Sequence, residues 1–129
     1  DDSGLEIELL NGAPGIRSSR WAGIENDFDL AIKKVFSEMN KVSQNWENNN
    51  NARFVCSLTL HYPSGKNFSS EGSIKGKIYK KKIGTKGFGY DPIFIPNGFT
   101  KTFGELSPNI KKNIDHRFNA FVKIKNFFC

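Results

Sequence analysis

Residues 53–62 (RFVCSLTLHY) place Phe54, Cys56, Leu58, Leu60 and Tyr62 at every second position. A period of two puts all five on one face of an extended strand, and no helix keeps them together. Pro63-Ser64-Gly65-Lys66 is a turn, and a second strand-like run follows through about Tyr79. The two runs predict a long hairpin. Gly72 and Gly76 lie inside the second run and are expected to mark bulges or bends.

Shorter patterns flank the hairpin. Leu5, Ile7 and Leu9 alternate with Glu6 and Glu8, which predicts a short strand with one buried face. Asn11-Gly12-Ala13-Pro14-Gly15 reads as a turn and residues 16–24 as a loop. Phe28, Ala31, Ile32, Val35, Phe36 and Met39 recur every three or four residues, so 27–41 is predicted helical, capped by Asn26 or Asp27. The run Gln44 to Asn51 reads as a surface loop, and 83–94 is a glycine-rich stretch. A short helix is expected from about Ser107 to Asn113. A last helix follows, with Asp115 as N-cap and Phe118, Phe121, Val122, Ile124 (or Lys125) and Phe128 on its buried side. The order of elements reads as mixed α/β or α+β in a single domain.

At 129 residues the chain can bury a self-sufficient core, much of it carried by twelve Phe residues. No apolar run approaches the ~18–20 residues of a membrane span, and no leader peptide is expected. Cys56 and Cys129 are isolated, without metal-binding spacing, and read as free thiols of a reducing, cytoplasmic compartment. The net charge of +6 favours a polyanionic partner, with nucleic acid, a triphosphate and a membrane surface all open. The opening Asp1-Asp2-Ser3-Gly4-Leu5 falls inside a strand-to-turn element, so the chain reads as a segment of a longer one.

Three separated stretches carry chemistry. Asp1-Asp2-Ser3-Gly4 sets adjacent carboxylates beside a glycine; they either hold Mg²⁺, which takes one or two carboxylates, or simply meet water. Gly87-Phe88-Gly89-Tyr90-Asp91-Pro92 lets backbone approach a ligand and offers two aromatic faces for a base; a structural turn with core aromatics is the alternative. Lys111 through Arg117 puts His116 and Arg117 in the first turn of the last helix. Cations there oppose the helix dipole, so a ligand-binding role competes with a solvated face.

Taken in order, D-D-S-G-L, N-G-A-P-G-I-R-S-S-R-W-A-G, G-F-G-Y-D-P-I-F, T-F-G-E-L and K-K-N-I-D-H-R resemble the inosine triphosphate pyrophosphatase family. The match runs from Asp1 to about Phe128. These enzymes clear dITP, ITP and XTP from the nucleotide pool, giving a monophosphate and pyrophosphate with Mg²⁺. The resemblance implies an ITPase-like fold, of the anticodon-binding or Maf-like class, with a long twisted mixed sheet flanked by helices.

It also implies roles. Asp2 matches the general base and metal ligand, and Ser3 a substrate contact. Phe88, Gly89, Tyr90 and Asp91 match the nucleoside-binding segment, with Phe88 stacking on the base. Lys111, His116 and Arg117 match the residues that read the base edge. A purine nucleoside triphosphate substrate, a homodimer and a cytoplasmic location follow on the same ground, with no membrane and no stable nucleic-acid partner.

The sequence departs from the family pattern in places. Asp115 replaces a usual Ser, Trp21 a commoner Tyr, and Phe118 a common Gly, where it is expected to crowd the pocket. Members begin with a strand, a Ser/Thr-x-Asn-x-x-Lys phosphate loop and a helix bearing a metal-binding Glu; residues 1–129 are expected to lack all three. A non-catalytic basic module that binds a nucleotide or nucleic acid is the alternative, resting on the charge, the glycine-aromatic loop and that missing half.

Overall fold

The computed structural model describes the backbone of residues 2–128 and the side chains of residues 3–125. Four strands form one sheet in the order β1 (Asp2–Ile7), β2 (Asn51–His61), β3 (Asn67–Ile78) and β4 (Phe94–Pro96). The α+β class is as expected. The sheet is antiparallel at every pairing among the described residues, where the resemblance implied a mixed one.

Opposed residues in an antiparallel ladder share a face. Leu5, Phe54 and Ile74 therefore lie together, as do Ile7, Ala52 and Gly76, and Ser3, Cys56 and Gly72. This face carries the core. The other face carries Glu6, Arg53 and Lys75, with Arg53 donating to Glu6 at 2.8 Å. The first strand ends at Ile7 rather than Leu9, because a 3-10 turn over Glu8–Leu10 bends the chain away and Asn11 adopts φ 55°.

Helix α1 (Phe28–Val42) starts where Asp27 accepts hydrogen bonds from the amides of Asp29 and Leu30. A 15-residue helix is marginal in water by itself. Burial of Ala31, Ile32, Val35 and Met39 against Leu5 and Ile7 holds it on the sheet. The loop after it is pinned by Trp46, which stacks on Phe36 and donates to Asn40.

Two expectations about the second half are corrected. Gly72 and Gly76 are not bulges; both sit in regular register, opposite Cys56 and Ala52. They are glycines because neighbours press on them. A Cβ on Gly72 would fall 2.1 Å from the amide nitrogen of Ala120 and 2.5 Å from the carbonyl oxygen of His116. One on Gly76 would meet the Ile95 carbonyl and the Phe94 ring. The glycine-rich stretch ends in a strand, β4, too short and too close to proline to show a period.

The second correction concerns α3 (His116–Phe128). It buries His116 and Ala120, with Asn119 donating to the Ser73 carbonyl, while Phe118 and Phe121 face outward. Close approach at Gly72 requires a small residue at the contact, and Ala120 supplies it; no phenylalanine fits there. The expected burial of Phe128 lies outside the described residues. Asp115 does cap the helix, accepting from the Phe118 amide at 2.8 Å. A short helix α2 (Pro108–Lys111) precedes it, capped by Ser107.

The hairpin outruns this packing. Beyond Cys56 the apolar face is only partly covered, and Leu60 and Tyr62 are exposed. Cys56 is buried; Cys129 lies outside the described residues. No helix among the described residues is long and apolar enough to cross a membrane.

The tight seat of α3 makes a prediction. Gly72→Ala is expected to cost about 1–3 kcal/mol, the usual penalty for overpacking against unyielding atoms. Urea unfolding measures it, and an unchanged midpoint would show that α3 is not seated on Gly72.

Candidate functional site

A cleft of about 320 Å³ opens where the start of β1, the loop before α1, the glycine-rich loop and the α2–α3 junction meet. It brings together Ser3, Phe88, Gly89, Tyr90, Asp91, Lys111, His116 and Arg117 from three distant parts of the chain. The backbone of Asp2 lies in β1 opposite Ser57. Its side chain, expected to be catalytic and to hold a metal, is outside the described residues.

The residues in the cleft present themselves differently. Phe88 is 62% exposed, a platform open to a ligand. Lys111 Nζ sits 4.5 Å and Arg117 Cζ 5.3 Å from its ring centroid, so two cations gather at this aromatic. Gly87 and Gly89 both have positive φ, the conformation that turns the loop around Phe88. Phe118 is not part of the cleft lining and does not crowd it.

Asp91 is buried, and its Oδ2 accepts from Lys111 Nζ at 2.6 Å and from the Phe88 amide at 3.0 Å. Its carboxylate thus holds the loop and the lysine. Burial pushes the Asp91 carboxyl up, against the downward pull of Lys111 and the Phe88 amide. Tyr90 is likewise buried; its hydroxyl donates to the Ser18 carbonyl at 2.6 Å and its ring meets Phe28 edge-on. Burial raises the phenol, which stays a donor.

His116 is 4% exposed and stacks on Phe54 at 5.1 Å between centroids. Burial, with Arg117 next to it, drives its pKa down to about 4 against the opposite pull of Asp115, so the ring is neutral near pH 7. Among the described residues its Nδ1 has no hydrogen-bond partner. A buried, unpaired ring nitrogen costs about 1–3 kcal/mol.

Sequence reasoning missed Ser18, Ser19, Phe28 and Phe54, which also line the cleft. The serines lie in the N-G-A-P-G-I-R-S-S-R stretch, where no role had been attached to them. The two phenylalanines carry only the periodicity of core positions. A larger hollow of about 510 Å³ lies on the opposite sheet face around Glu6, Arg53, Lys75 and Asn97. It holds the Arg53–Glu6 pair and no aromatic platform.

The Ham1 family model matches residues 1–127. The chain belongs to the Ham1 family. A dITP/XTP pyrophosphatase of Caulobacter vibrioides is 44% identical over 97% of this chain and 63% of its own length. One of Rhodospirillum centenum is 46% identical over 94% and 59%. The solved Ham1 protein of Staphylococcus aureus superposes with TM-score 0.88 at 36% identity, covering 98% of this chain and 64% of that one. This Ham1-family chain thus spans about three-fifths of the length of the curated relatives it matches.

Two outcomes are expected from the buried groups of this Ham1-family site. An unfolded histidine titrates near 6.5, and His116 in the fold near 4. The unfolded chain therefore binds the proton first, and stability present above pH 6.5 falls as pH drops toward 4, by about 3 kcal/mol. Denaturant melts across this window measure the slope, and His116→Phe should flatten it. Lys111→Met leaves Asp91 buried without its counter-charge and should cost about 3 kcal/mol. Adding Asp91→Leu should recover most of that loss in thermal melts; a double variant as unstable as the single one would overturn the assignment.

Proposed function

We propose that this chain carries the base-recognition half of a pyrophosphatase acting on nonstandard purine nucleoside triphosphates: dITP, ITP and XTP. One observation carries the reading. Phe88, Lys111, His116 and Arg117 line a single cleft whose other wall is the β1 segment beginning at Asp2 and Ser3.

In this reading the purine stacks on Phe88, and Lys111, His116 and Arg117 meet the base edge. Hypoxanthine and xanthine carry oxygen at C6, an acceptor for these donors. Neutral His116 donates from one ring nitrogen. Adenine would set its amino group against the same donors and leave buried groups unpaired, at about 1–3 kcal/mol each. Tyr90 and Asp91 act from behind the surface, Asp91 by holding Lys111 and the Phe88 amide.

Asp2 is proposed as general base. It takes a proton from water as the water oxygen bonds to the α-phosphorus. The bond from that phosphorus to the α–β bridging oxygen breaks, and pyrophosphate leaves. Ser3 contacts the substrate beside it. Mg²⁺ is carried over from the resemblance, with Asp2 as ligand. Among the described residues no group of three His, Cys, Asp or Glu side chains could hold a metal, and Asp91 is committed to Lys111. The Asp2 side chain lies outside the described residues, and no step is routed through the ion. A homodimer and a cytoplasmic location complete the reading.

The test is pyrophosphate release from dITP, XTP, dGTP and ATP, with and without Mg²⁺, for the unsubstituted protein and Asp2→Asn. Preference for dITP and XTP is expected, with at least about a hundredfold loss in the variant. Equal turnover of ATP, or an unaffected Asp2→Asn, would sink it. Salt-sensitive binding to nucleic acid without base preference would support a non-catalytic module instead.

A further inference from the structure

Ser18 makes two hydrogen bonds that join parts of the cleft remote in sequence, and a local one to Gly15. Its Oγ accepts from the Leu5 amide at 2.9 Å and donates to the Gly15 carbonyl at 2.6 Å. Its own carbonyl accepts from the Tyr90 hydroxyl at 2.6 Å. Leu5, Ser18 and Tyr90 are all buried, so the bonds from the Leu5 amide and the Tyr90 hydroxyl are made away from water and neither is readily replaced by it. The strand is pressed onto this loop, since a Cβ on Gly4 would lie 2.6 Å from the Gly15 carbonyl oxygen.

We propose that Ser18 is a positioning residue that, with Tyr90, sets the distance between the β1 segment holding Asp2 and Ser3 and the Phe88 platform. The proposal rests on the functional reading above. In that reading the base is held at one end of the cleft and the reacting phosphorus at the other. Both ends belong to separate elements, and Ser18 is bonded to each. Phe28 backs the contact by packing edge-on against Tyr90. A tether of this kind leaves the base contacts intact and acts on the alignment of the attacked phosphorus, where small displacements weigh heavily on rate.

The experiment compares the unsubstituted protein with Tyr90→Phe, Ser18→Ala and the double variant, at a temperature where circular dichroism shows all of them folded. Tyr90→Phe keeps the ring on Phe28 and removes only the hydroxyl. Expected is a fall in kcat for dITP of roughly tenfold or more, with affinity for dIMP within about twofold. The double variant should be no slower than the slower single one, because both bonds belong to one connection. Unchanged kcat in the single variants, an equal loss of dIMP affinity, or losses that multiply would overturn the proposal. If the unsubstituted protein releases no pyrophosphate, the functional reading fails and the tether is judged separately. Amide exchange at Leu5 roughly tenfold faster in Tyr90→Phe then supports it, and unchanged exchange overturns it.

Discussion

Asp91 and Lys111 are both almost excluded from water, and each charge is tolerable there because the other lies 2.6 Å away. The rest of the cleft depends on this pair. Asp91 also accepts from the Phe88 amide, so one carboxylate fixes the glycine-rich loop from below and the end of α2 from the side. With Lys111 fixed, its ammonium sits over the Phe88 ring, and the chain continues through Asp115 into the first turn of α3. A buried ion pair adds little net stability over apolar packing. Its effect here is to give two loops one relative position.

The second constraint is steric. Helix α3 lies directly on the sheet at Gly72, with Ala120 in contact, and this depth decides where His116 sits. It is deep enough for its ring to stack on Phe54 and to lose its proton affinity through burial. The neutral ring keeps its Nδ1 without a hydrogen-bond partner among the described residues, with Lys111 and Arg117 nearby.

Much of this was legible in the sequence. The 3.6-residue recurrence from Phe28 to Met39 gave α1 to within a residue at each end, and Asp27 and Asp115 are caps by chemistry as well as position. The alternation in 53–62 located β2. The same alternation overstated the core, because it does not say where the covering helices end; Leu60 and Tyr62 continue the pattern with little over them. In α3 the phenylalanines pointed to the wrong face. Hydrophobicity ranks Phe above Ala, whereas a helix seated against a glycine selects for small side chains at the contact.

The family pattern and the helix and hairpin positions followed from the sequence by itself, because periodicity and caps are local properties. The ordered motifs also named Ser3, Phe88 to Asp91, Lys111, His116 and Arg117 of the cleft, but not Ser18, Ser19, Phe28 or Phe54. What only the tertiary structure decided is how each member is used. Asp91 and Tyr90 are turned inward, onto Lys111 and Ser18, while Phe88 is turned outward. All three sit in one short segment with similar sequence claims on a ligand. Their difference arises from which neighbours a distant strand and two helices bring to them, and that is not written locally in any of the three.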